Sequence, residues 1–200
     1  MMMVSVHDFK RVLFDQKTIE ARVQELAEQI VEDYKYGELV ILTVQKGGAR
    51  FSSDLVRAMV DYSLRTYNDV VVDILETDVK LSRRPNPETF LPEPVILLPL
   101  DPNIEYVRRP VLVVEDIVDQ GVTMGYLLNL IQERNPQSVS VCTLLDKPSQ
   151  RTVHIPIGYK GFEVGNVFVA GYGLDVNEKY RHFPFIGELK QEVIDRLLAK

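Results

Sequence analysis

Three short runs constrain this chain more than anything else in it: Leu39–Val44, Val111–Val114 and Val139–Leu145 are aliphatic or β-branched at most positions and carry no charge. A strand that does not alternate with charged residues offers no face to water, so it needs cover on both sides, and parallel sheets in α/β folds supply that. Helical patterns lie between the runs. Ile19, Val23, Leu26, Ala27, Ile30, Val31 and Tyr34 fall on one stripe and predict a helix over Ile19–Tyr36, with Thr18 as its cap and Gly37 at its end. Phe51, Leu55, Ala58, Met59 and Tyr62 mark a second helical face, and Thr123–Arg134 a third. Further strands are expected at Val70–Leu75 and Val164–Ala170, and a terminal helix at Gln191–Leu198. The alternation predicts a doubly wound α/β fold around a parallel sheet rather than a sandwich or a bundle.

The chain has 200 residues, 46% of them hydrophobic, enough for one domain with its own core. Its one cysteine, Cys142, excludes an intrachain disulfide and lies in an apolar run, which reads as a buried hydrophobe. His7, His154 and His182 are too scattered to suggest a metal cluster. The net charge of −6 and the lack of a basic stretch give nucleic acid no electrostatic reason to bind, while leaving room for a local site for a small anion. No apolar run reaches membrane-spanning length and the first residues lack a signal-peptide core, so the expected location is cytoplasmic, away from membranes. Six of the eleven prolines fall between Pro85 and Pro102, which predicts that this interval is largely an irregular excursion, a candidate lid, with at most a short strand at Val95–Leu98.

Chemistry concentrates in Val111–Thr123, where an apolar strand ends in Glu115-Asp116 and continues through Asp119-Gln120-Gly121-Val122-Thr123 into a helix. Ligands of open α/β sheets bind at the carboxyl ends of the strands. Unpaired amides at a helix start hold phosphate, and adjacent carboxylates accept hydrogen bonds from neighbouring ribose hydroxyls. The segment is neither a Walker A loop nor a Gly-x-Gly-x-x-Gly fingerprint.

This arrangement closely resembles the phosphoribosyl pyrophosphate (PRPP) motif of type I phosphoribosyltransferases. Lys46-Gly47-Gly48 resembles the pyrophosphate loop of the hypoxanthine-guanine members, and Phe168–Asp175 with Asn177, Glu178 and Arg181 resembles their C-terminal signature. The resemblance implies one domain over residues 1–200, with a core at about 38–170 and a small hood from the terminal segments. It implies transfer of 5-phosphoribosyl from PRPP to hypoxanthine or guanine with Mg²⁺, yielding IMP or GMP and pyrophosphate, in a homo-oligomer, dimer or tetramer.

Carried over by position, Asp119 is the proton acceptor facing purine N7; Glu115 and Asp116 hold the ribose diol and the metal environment. Gln120, Gly121, Val122 and Thr123 cradle the 5′-phosphate, while Lys46, Gly47 and Arg181 serve pyrophosphate. Lys147 reaches the 6-oxo group, Phe168 stacks on the purine, Val169 presents backbone to its edge, and Asp175 helps hold Mg²⁺. The family's cis peptide is expected between Lys46 and Gly47.

Simpler readings compete at several positions. Asp175 can cap a short helix, Phe168 can be core, and Lys147 beside Pro148 can be an exposed loop charge. Two features depart from the family pattern. Gln120 replaces a hydroxyl residue, and Glu76–Pro94 offers no Ser-Tyr pair, so Lys80, Arg83 and Arg84 are the cations available to fold over pyrophosphate. These departures keep a non-catalytic PRPP or nucleotide sensor as the alternative. A phospho-acceptor receiver fits poorly, since too little chain follows Glu115.

Overall fold

Uncharged runs need cover on both faces, and the computed structural model, which describes residues 4–35, 37–68, 71–85 and 92–199, shows how they get it. In chain order the elements begin with β1 (Phe9–Phe14), α1 (Gln16–Tyr34), β2 (Glu38–Gln45), α2 (Gly48–Thr66), β3 (Asp73–Pro85) and β4 (Pro92–Leu98). They continue with β5 (Pro110–Val118), α3 (Val122–Gln132), β6 (Ser138–Asp146) and β7 (Ile157–Glu163), and end with β8 (Val169–Ala170), β9 (Ile186–Leu189) and α4 (Gln191–Leu198). The main sheet runs β4-β3-β2-β5-β6-β7, parallel throughout except for β4.

Alternate residues of each inner strand serve opposite faces. Leu39 and Ile41 of β2, Leu112 and Val114 of β5, and Cys142 and Leu144 of β6 pack with α1 and α2. Val40, Leu42 and Val44, with Val111, Val113 and Val141, pack with Met124, Leu127 and Ile131 of α3. The polar residues inside the runs are satisfied locally: Thr43 and Ser52 share a hydrogen bond of 2.7 Å, and Thr143 Oγ1 donates to Leu145 O at 2.8 Å. Truncating a fully buried side chain such as Leu112 to Ala costs about 2–5 kcal/mol.

Several boundaries differ from expectation. α1 begins earlier because Asp15, not Thr18, is its cap: the Asp15 carboxylate accepts the Thr18 amide at 2.8 Å. α3 stops at Gln132. The strand expected at Val70–Leu75 starts at Asp73 and runs on to Pro85, and Val70 lies outside the described residues. The proline-rich excursion is instead a β-arm, with β3 and β4 antiparallel and Arg83 opposite Pro94. Proline is tolerated there because β4 is an edge strand, whose outer amides have no ladder to join; residues 86–91 lie outside the described residues. Of Val164–Ala170 only Val169–Ala170 is strand, and β7, interrupted by Gly158, Lys160 and Gly161, carries too little apolar signal to be read from sequence.

The first and last segments meet in a second, antiparallel sheet of order β1-β9-β8. Its core joins Phe9, Tyr180 and Leu189 to Val193, Ile194 and Leu197 of α4, with Phe9 edge-on to Tyr180, Phe183 and Phe185.

Candidate active site

β5 lies near the middle of the sheet, so its carboxyl end opens between the loops that follow its neighbours. Glu115 and Asp116 stand near its carboxyl end, Asp116 buried and Glu115 partly so. Burial raises both carboxyls above their ordinary range, and for Glu115 the adjacent Asp116 charge adds to it. Asp116 Oδ1 accepts the Ile117 amide at 3.0 Å. Its carboxylate also lies so close to the Gly47 backbone that a Cβ at Gly47 would collide with it.

Asp119 and Gln120 leave the strand exposed, and Gly121 turns the chain into α3 with φ +86°, a conformation suited to glycine. A Cβ there would also meet Val153 O at 2.7 Å. No side chain caps α3, which leaves its first amides and its positive dipole end for an anion. The loop frame is fixed from behind: Gln120 O accepts the amides of Thr152 and Val153 at 3.0 and 3.1 Å. Val118 O accepts from the Lys147 amide at 3.0 Å and from Arg151 Nη2 at 3.1 Å. Arg151 in turn pairs with buried Asp146. This brace, Arg151 with Asp146, escaped the sequence reading, because an arginine in a loop between two strands has no distinguishing spacing.

Across the cavity, Lys46 Nζ donates to Glu178 at 2.9 Å, an ion pair that holds the Glu178 carboxyl below its ordinary range. Arg181 pairs with Asp175 at 2.7 Å and reaches Glu178 at 3.4 Å. Asp175 accepts the Glu178 amide at 2.7 Å, so the capping contact exists, but no helix follows. Asn177 and Glu178 both have positive φ between the bridged residues Val176 and Lys179, which makes a tight reverse turn instead. The cis peptide joins Gln45 to Lys46, one bond before the expected place.

One cavity of about 700 Å³ collects Lys46, Gly47, Glu115, Asp116, Asp119, the loop Gln120–Thr123, Asp175 and Arg181. Lys80 and Arg83 of the arm also line it, as does Glu178. Lys147, Phe168 and Val169 do not. Lys147 is nonetheless adjacent: buried rather than an exposed loop charge, it donates to Val167 O at 2.8 Å and lies 3.8 Å from Asp119 Oδ2. Phe168 is 43% exposed and so is not core, whereas Val169 is buried in β8. Among the described residues, no three His, Cys, Asp or Glu side chains group to enclose a metal ion.

Comparison with known proteins agrees with this geometry. Residues 12–177 match the family described as phosphoribosyl transferase domain. The hypoxanthine-guanine phosphoribosyltransferase of Bacillus subtilis (strain 168) is 35% identical over 189 residues, 94% of this chain and 98% of that protein. That of Dictyostelium discoideum is 37% identical over 188 residues, 92% and 97% of the two chains. A crystal structure of a hypoxanthine phosphoribosyltransferase from Staphylococcus aureus superposes with a TM-score of 0.83 at 33% identity, covering 96% of this chain and 98% of that one. With the loop at the start of α3, the acidic pair and the cations Lys46 and Arg181 already in one cavity, the chain belongs to the hypoxanthine-guanine phosphoribosyltransferase family of phosphoribosyltransferases.

Proposed function

We propose that this protein transfers the 5-phosphoribosyl group of PRPP to hypoxanthine or guanine, forming IMP or GMP and releasing pyrophosphate. The observation that carries this reading is the set of groups gathered in one cavity: an uncapped helix start, a carboxylate pair whose Asp116 lies against Gly47, and the cations Lys46 and Arg181. PRPP presents a matching set, with a phosphate, a diol and a diphosphate.

The loop Gln120–Thr123 takes the 5′-phosphate through its amides, and Glu115 with Asp116 accept hydrogen bonds from the ribose hydroxyls. Lys46 and Arg181 hold the diphosphate beside Gly47, whose missing side chain leaves room for Asp116. In the reaction the C1′–oxygen bond to diphosphate breaks as purine N9 bonds to C1′, positive charge grows on the ribose, and the two cations stabilise the departing anion. Asp119 accepts the purine N7 proton. Lys147 Nζ keeps donors beyond those used on Val167 and Asp119, and one of them reaches the 6-oxo oxygen. Phe168, exposed at the edge of β8, stacks on the base, and Val169 offers its backbone to the base edge.

The donor set fits Mg²⁺. It offers only hard oxygens, and a site without three grouped protein ligands suits an ion that arrives on phosphates and keeps its waters. Glu115, Asp116 and Asp175 are the carboxylates that would hold it, Asp175 after giving up its Arg181 contact. When bound, the ion neutralises charge on the diphosphate.

By the same resemblance the protein works in the cytoplasm as a homo-oligomer, and no helix among the described residues is long and apolar enough to cross a membrane. The relatives named above are transferases, and no observation favours the sensor alternative. The test is a PRPP- and Mg²⁺-dependent assay with each purine base. Hypoxanthine and guanine should give their monophosphates and adenine should not, because a lysine donor opposes the 6-amino group. PRPP binding without turnover of any base would establish the sensor instead.

A further inference from the structure

We propose that Arg83 of the arm belongs to the 5′-phosphate subsite, acting through Gln120, and does not serve the diphosphate; this rests on the PRPP reading above. Arg83 Nη1 donates to Gln120 Oε1 at 3.0 Å, and both residues line the cavity. The contact joins β3 to the loop between β5 and α3 across 37 residues of sequence.

The chemistry of the two groups fixes how the contact is used. A guanidinium has only donors, so the amide must turn its oxygen toward Arg83, which leaves the Nε2 hydrogens of Gln120 for an acceptor in the cavity. Polarisation by the cation strengthens those donors. The backbone of Gln120 cannot follow the arm, because its carbonyl is held by Thr152 and Val153. At Gln120 it is the side chain that reaches the arm.

Arg83 is itself held in place. It stands opposite Pro94 in the β3–β4 pairing and its Nη2 approaches Pro92 O at 3.4 Å. The root of the arm is fixed to the sheet, with Lys80 beside Gln45 and Leu81 packed on the core that includes Met124 and Leu127 of α3. An anion at the start of α3 therefore meets three aligned contributions: helix amides, an amide donor and the cation behind it. Lys46 and Arg181, by contrast, are engaged with Glu178 and Asp175.

Two probes separate the subsites: IMP carries a 5′-phosphate without diphosphate, and inorganic pyrophosphate with Mg²⁺ carries the reverse. Calorimetry on R83A should show IMP bound about tenfold more weakly and pyrophosphate unchanged, the loss expected for one charge-assisted contact. In a Q120A background, R83A should cost little more, and Q120E should keep the arm contact yet weaken IMP, since it removes the donors. An R83A protein that loses pyrophosphate affinity and keeps IMP affinity overturns the proposal, as does one that binds both probes like wild type, or full additivity with Q120A. Inosine, which lacks the phosphate, should bind R83A and wild type alike; a loss there would mark a merely structural effect and also overturn it. A wild-type protein that binds neither PRPP nor IMP would refute the functional reading itself.

Discussion

The Lys147 ammonium lies 3.8 Å from the Asp119 carboxylate while donating to Val167 O, so one buried cation ties the loop after β5 to the segment before β8. Asp119 is exposed and, among the described residues, has no closer ion pair, so a carboxylate oxygen is open for the role of base that the proposed function gives it. D119N should lower kcat by about 10² to 10⁴ and leave PRPP affinity within a few-fold. Steady-state kinetics with calorimetry checks this, and an unchanged kcat would remove Asp119 from the role of base.

Glu115 and Asp116 are acidic neighbours, one partly buried and one buried, whose pKa values burial raises, an arrangement that costs stability and that the proposed function assigns to the ribose diol. E115Q/D116N should therefore weaken PRPP binding at least tenfold without lowering the apo melting temperature, because the pair contributes repulsion rather than cohesion. Calorimetry and a thermal melt decide it. Full PRPP affinity in the double variant would make the pair surface decoration.

Much of this was legible because buried strands and phosphate loops write themselves locally. Val111–Thr123 shows strand, acidic pair, glycine and helix start in one stretch, and the positive φ at Gly121 is the conformation its glycine permits. The arm was not legible. β4 pairs by backbone at an edge, where its prolines are tolerated, so composition alone read it as irregular. Arg83 and Gln120 are 37 residues apart, and buried Lys147 is hydrogen-bonded to Val167 O and Val118 O, partners that no local pattern names.

Tyr180 joins the two chain ends: its hydroxyl donates to Asp8 at 3.0 Å, and burial with that carboxylate pushes its pKa up to about 12. The unfolded value is about 10. Between those values the folded protein holds a proton the unfolded chain has lost, so stability falls as pH rises from about 10 to about 12. Y180F should flatten that part of the denaturant-midpoint profile, beside the contribution of the other buried tyrosines. An identical alkaline slope would place the linkage elsewhere.

Glu178 already pairs with both cations that the proposed function gives to the diphosphate. Its carboxylate holds Lys46 at 2.9 Å and Arg181 at 3.4 Å, the two cations assigned to that anion, and it is itself 62% exposed on its side chain. A diphosphate there would compete with an internal carboxylate for both cations, and the carboxylate would regain them when it leaves. E178Q keeps the shape of the turn and removes the competing charge. Inorganic pyrophosphate with Mg²⁺ should then bind several-fold more tightly, and the difference should shrink at high ionic strength, where exposed charges are screened. In turnover the same variant should show a lower KM for PRPP and a kcat no higher than wild type, since a tighter product leaves more slowly. Unchanged or weaker pyrophosphate binding in E178Q would mean that Glu178 orients Lys46 and Arg181 for the ligand instead of competing with it.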